Sequence, residues 1–122
     1  MNELIDRIVS RVGIDQAVAE KAIGIVLDFL SKEGPADKVQ ALLARLPGSE
    51  ALLEAARSDS GGGMFASMGG IMGVGSRLMG AGLDMSQIQS VTRELAAYSR
   101  DKGAADSLNE IAGAIPGLSQ FL

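Results

Sequence analysis

Apolar residues recur along this chain with a helical period. Ile5, Val9 and Val12 are spaced i, i+4, i+7, and Ala19, Ala22, Val26 and Phe29 are spaced i, i+3, i+7, i+10. Each set lies on one face of a 3.6-residue helix, whereas a half-buried strand would alternate every second residue. The same spacings return at Val74, Leu78 and Ala81 and at Ile88, Val91, Leu95 and Tyr98. Glycine and proline punctuate the pattern, because glycine tolerates turn conformations and proline cannot continue a helix. Together they predict helices over residues 2–12, 16–32, 36–46 and 49–57, and again over 70–80, 85–101, 104–113 and 117–121.

The two sets of helices are related by a displacement of 69 positions without gaps. Gly13-Ile14-Asp15 falls on Gly82-Leu83-Asp84, Gly34-Pro35-Ala36-Asp37 on Gly103-Ala104-Ala105-Asp106, and Leu46-Pro47-Gly48 on Ile115-Pro116-Gly117. The identities are few, but they fall at predicted turns and caps, which a repeated unit must keep in register. We read residues 1–53 and 70–122 as two copies of one helical repeat, joined by a glycine- and methionine-rich connector over 54–69, all within a single domain. Asp15 and Asp84 suit helix N-caps, and Asp84 with Gln87 has the spacing of a capping box. Gly34 and Gly103 suit the left-handed position after a helix, and Pro35 suits a first turn.

Where the copies differ, the difference concerns packing. Ile23, Ile25, Leu27 and Leu30 stand opposite Thr92, Glu94, Ala96 and Ser99. Helix 16–32 is therefore apolar nearly all round, as expected for the centre of a bundle or for a flank covered by another subunit. Its counterpart is expected to keep one wet face.

The connector reads GGGMFASMGGIMGVG over residues 61–75. Met64, Met68 and Met72 are spaced i, i+4, i+8 with Phe65 beside them, so a helix here would carry a flexible, polarisable methionine stripe. The uncharged run over 60–76 is short and diluted by glycine, below the length and hydrophobicity that a membrane-spanning helix needs, so no membrane span is expected. Gly70 and Gly75 are spaced like the glycines of a phosphate loop, but Ser76 stands where that loop needs lysine. A dinucleotide fingerprint beginning at Gly73 fails because Leu78 occupies its last glycine position. The stretch is read mainly as a seam between the copies, with a partner surface as the alternative.

Composition narrows the chemistry. Aromatic residues make up only 3% of the chain, so the core must come from Leu, Ile, Val, Ala and Met, which favours helices. With no cysteine there is no thiol nucleophile or disulfide, and with no histidine the commonest general base and metal ligand are missing. A net charge of −4 argues against nucleic acid as a partner, since phosphate binding needs a basic face. The start, MNELIDRIVSRV, lacks the basic residues and unbroken apolar run of a secretion signal, so the expected location is cytoplasmic. No catalytic, cofactor or metal-binding constellation emerges from the carboxylate spacings.

Two resemblances follow from particular residues. The run NELIDRIV…GIDQAVAEKAIGIVLDFLSKEGPADKVQ resembles the N-terminal helical hairpin of HU-type bacterial DNA-bending proteins. It covers about a third of the chain, and the strand signature and basic arms by which that family touches DNA have no counterpart here. The resemblance implies a helical packing module and no DNA-binding residue. GLDMSQIQSVTRELAAYSRDKGA, after a glycine-rich stretch, is similar to a family of small bacterial helical proteins of unknown function. That likeness implies a helical fold and no particular chemistry.

The sequence thus predicts an all-α bundle of two tandem pseudo-symmetric repeats. The expected function is non-enzymatic interaction or scaffolding, with self-association or binding of another protein through Ile23, Leu27, Leu30, Met64, Phe65, Met68 and Met72. A binder of a small apolar molecule or lipid, with its pocket between the copies, is the second reading. An enzyme with an unrecognised carboxylate site is the third.

Overall fold

The computed structural model describes residues 2–59 and 70–114 as seven helices, with no strand among the described residues. They are α1 (Asn2–Val12), α2 (Gln16–Glu33), α3 (Ala36–Ala44), α4 (Ser49–Asp59), α5 (Gly70–Gly80), α6 (Met85–Asp101) and α7 (Ala105–Ala114). The fold is all-α, as the periodicity predicts. Helix boundaries agree with the sequence pattern to within two residues. α4 continues to Asp59, two residues past the predicted end at 57. The predicted helix 117–121 lies outside the described residues.

Local chemistry sets most of the ends. At the start of α6 the Gln87 amide donates to the Asp84 carboxylate at 2.8 Å, and the Asp84 amide donates to Gln87 Oε1 at 3.0 Å. This reciprocal capping box satisfies two amides that the helix leaves without carbonyl partners. Asp15 takes the equivalent backbone position before α2 but makes no side-chain cap bond. The two helix-ending glycines also differ. Gly103 has φ +80°, with Ala104 N donating to Ser99 O and Gly103 N to Arg100 O, a Schellman end. Gly34 instead has φ −92°, so it is not the expected left-handed cap. It is needed for space: a Cβ there would stand 2.8 Å from Leu30 O and 3.1 Å from Ile111 Cγ2.

α2 is the axis of the bundle. Residues 22–30 are buried without interruption, and the helix packs against α1, α3, α4, α5 and α6. Its closest neighbour is α4, which crosses at Gly24. A Cβ on Gly24 would lie 2.5 Å from Leu52 O and 3.0 Å from Ala56 Cβ, so the approach of these backbones depends on the missing side chain.

Three further pairings cross between the two halves of the chain. α1 packs on α6, α5 packs on α2, and α3 packs on α7. Ion pairs follow these seams: Arg7 with Asp101 and Arg11 with Glu94, each at 3.1 Å, join α1 to α6, and Lys38 with Glu110 at 2.8 Å joins α3 to α7. Arg7 and Lys102 also sit over the buried Tyr98 ring, 5.9 and 5.4 Å from its centre.

The wet face of α6 is real but differently composed from expectation. It runs through Ser86, Gln89, Arg93 and Arg100, whereas Thr92 and Ser99 are buried. Their hydroxyls donate to the Ile88 and Leu95 carbonyls at 2.9 and 2.8 Å, one turn back. That bond removes the cost of burying an unpaired hydroxyl.

Candidate functional site

A carboxylate sits in the otherwise apolar run of α2. Asp28 is fully buried, with Leu27 and Phe29 beside it in sequence. Arg77 reaches it from α5 at 2.9 Å, and Lys32 reaches it from the next turn of α2 at 3.1 Å. Arg77 also donates to the Ala56 carbonyl of α4 at 3.4 Å, so one guanidinium ties three helices together. Burial pushes the Asp28 carboxyl up, but hydrogen bonds from Arg77 and Lys32 outweigh it and hold the group below its ordinary value. A carboxylate held ionised by two cations is a poor proton donor or acceptor near neutral pH. Its chemistry here is structural.

A concave surface lies elsewhere, where the end of α2 meets α3 and α4. α3 offers Ala36, Val39, Gln40, Leu43 and Ala44, spaced i, i+3, i+4, i+7, i+8 along one face. α4 offers Glu50, Leu53 and Glu54, and Ser31 closes the end beside α2. Between them is an open groove of about 530 Å³. Val39 and Leu53 are buried in its floor, Leu43 is half-buried, and Gln40, Glu50 and Glu54 are exposed at its rim.

α4 holds the rim in place. Its first residue, Ser49, is fully buried, and the Ser49 hydroxyl donates to the Leu43 carbonyl at 3.3 Å across the corner from α3. The close crossing at Gly24 then fixes the far side of α4 against α2. Arrangements of this kind bind by burying apolar anchors and orienting them with a few polar groups. Among the described residues no cluster of three or more His, Cys, Asp or Glu is placed to hold a metal ion.

The predicted interface residues fall into two groups. Ile23, Leu27 and Leu30 are 0%, 0% and 1% exposed, covered within the chain by the helices around α2. In this fold they are core, because the neighbours that an apolar-all-round helix requires come from the same chain. Met64, Phe65 and Met68 lie outside the described residues, and Met72 falls in α5 with its side chain outside them. Two methionines not singled out by the pattern, Met79 and Met85, are 50% and 48% exposed at the corner between α5 and α6.

The groove itself left no motif in the sequence, since an apolar residue beside a helix-to-helix corner reads as core. Asp28 did leave a signal, as the sole charge between Lys21 and Lys32.

No helix among the described residues is long and apolar enough to cross a membrane. No family model, curated protein or solved structure matches this chain.

Proposed function

We propose that this protein is a non-enzymatic helical interaction module that takes a segment of another protein into the groove between α3 and α4. The observation that carries the reading is that groove: an apolar floor of Val39, Leu43 and Leu53, flanked by exposed Gln40, Glu50 and Glu54. Apolar anchors in a concave floor with a polar rim are the usual anatomy of peptide recognition. The reading places a small apolar molecule second, because Gln40, Glu50 and Glu54 line the groove beside its apolar floor.

The organisation of the module is part of the proposal. We take the chain to be a fused pseudo-dimer, two copies of one repeat that exchange their first helices. The reciprocal pairings support this, with α1 of the first copy on α6 of the second and α5 of the second on α2 of the first. So does the turn before each long helix, where Gly13 and Gly82 have φ +82° and +106° and extended Asp15 and Asp84 follow. A dimer of single repeats would cover part of α2 between subunits, and the fusion covers it within one chain.

Self-association remains a second reading on a different observation. Met79 and Met85, each about half exposed at one corner, form an adaptable apolar patch.

The groove reading is tested by selecting helical peptides from an unbiased display pool on the full chain and mapping them by two-dimensional NMR. Shifts are expected to concentrate in residues 36–44 and 49–54. Gln40→Trp, which fills the groove from an exposed position, is expected to weaken binding about tenfold or more, the loss of roughly one buried anchor. Binders that map elsewhere and ignore Gln40→Trp would sink the reading.

A further inference from the structure

We infer that the occupant of the α3–α4 groove is an amphipathic helix of a different protein, with Lys or Arg flanking its apolar face; this rests on the groove reading above. Shape narrows the secondary structure first. Strand addition needs a free sheet edge, and there is no strand among the described residues. Recognition of a proline-rich extended segment needs an aromatic-lined channel, and no aromatic residue lines this one. The α3 wall spans residues 36–44, about 12 Å at the helical rise, which accommodates anchors from about two turns of a docked helix.

Charge narrows the occupant next. Glu50 and Glu54 lie one turn apart on the same side of α4, with Leu53 between them in the groove. Neither forms an ion pair among the described residues, although carboxylates at other seams are matched: Asp28 with Arg77, Glu94 with Arg11, Asp101 with Arg7 and Glu110 with Lys38. Glu50 in the first turn complements the helix dipole, but Glu54 lies beyond that turn. Like charges at i, i+4 repel, so the pair is a small local cost to the free chain. A helix carrying cations one turn apart along its flank meets both carboxylates at once.

A second copy of this chain fits poorly. Its exposed large hydrophobics among the described residues are Met79 and Met85, confined to one corner. A docked helix needs anchors at i, i+3 or i+4, and i+7. The net charge of −4 also opposes docking one copy on the acidic rim of another.

The experiment uses two helix-display pools with the same randomised apolar face, one flanked by Lys and one by Glu, panned against the full-length chain. Binders are expected from the Lys pool, about fivefold tighter than the same peptides with Glu flanks at low salt, as two exposed ion pairs supply. The gap should close at about 1 M salt, where such pairs are screened. It should vanish in E50Q/E54Q and invert in E50K/E54K, with melting curves verifying that both variants fold. Equal affinity for both flanks, insensitive to E50Q/E54Q but still blocked by Gln40→Trp, would overturn the basic-helix inference and leave the groove reading standing. Failure of both pools to yield a groove binder would overturn both.

Discussion

Asp28 is the residue on which the interior turns. A buried carboxylate is tolerated only when cations repay its lost hydration, and here one cation comes from 49 positions away. Arg77→Met takes from Asp28 the better buried of its two cations, since Arg77 is 17% exposed and Lys32 56%, and should cost about 3 kcal/mol at pH 7. The pH dependence identifies the cause. Because the native Asp28 pKa is depressed, its contribution is present above the unfolded value of about 3.9 and is lost as pH falls through the lower native value. In Arg77→Met the lowering by Arg77 is lost, so the native pKa rises and the Asp28 charge contributes less stability at pH 7. Urea melts of both proteins should therefore converge as pH falls towards 3. A gap independent of pH would mean that Arg77 acts through packing alone. Replacing both partners, Asp28→Leu with Arg77→Met, should recover most of the loss, since a buried ion pair often adds little over apolar packing.

At the scale of the element, two helices with the same local signature end up differently capped. Asp15 and Asp84 both occupy extended N-cap positions, yet only Asp84 has a partner for its carboxylate and a Gln87 that answers it. Asp84→Ala should destabilise the fold by about 1 kcal/mol, and Asp15→Ala by less than about half of that. Equilibrium unfolding of the two variants checks the difference, and equal losses would show that the crossed hydrogen bonds contribute nothing. The pattern of helices was legible because it depends on residues at most four apart: periodic apolar positions, caps and breakers. Gly34 shows where such reasoning stops. Its place after a helix suggested a left-handed turn, but glycine is needed there for space, against Leu30 O in its own helix and against Ile111, far away in sequence.

At the scale of the molecule, the two halves are interlocked rather than adjacent. Each first helix lies on the long helix of the other half, and the ion pairs of Arg7, Arg11 and Arg77 run along the same seams. This accounts for an apolar-all-round α2 without a second subunit. The self-association reading then rests on the Met79 and Met85 corner, and sedimentation equilibrium decides it. If it holds, the mass exceeds 12.6 kDa at high concentration and returns to that value in Met79→Asp/Met85→Asp. A mass of 12.6 kDa throughout the concentration range removes it and leaves the groove as the route to a partner.

The sequence by itself determined that the chain is helical, where its described helices begin and end, and that α2 needs cover on every side. These follow from backbone geometry and from the transfer of apolar side chains out of water, which act locally and tolerate substitution. Only the tertiary structure decided which helices provide that cover, that Asp28 is paired from α5, and that Thr92 and Ser99 turn inward. It also decided that α3 and α4 leave a groove whose Glu50 and Glu54 pair with no cation among the described residues. Apolar stripes look alike in sequence, and burial is not directional. The choice among them is made by close fits such as Gly24 against Leu52 and by charge pairs such as Arg77 with Asp28, whose partners lie far apart along the chain.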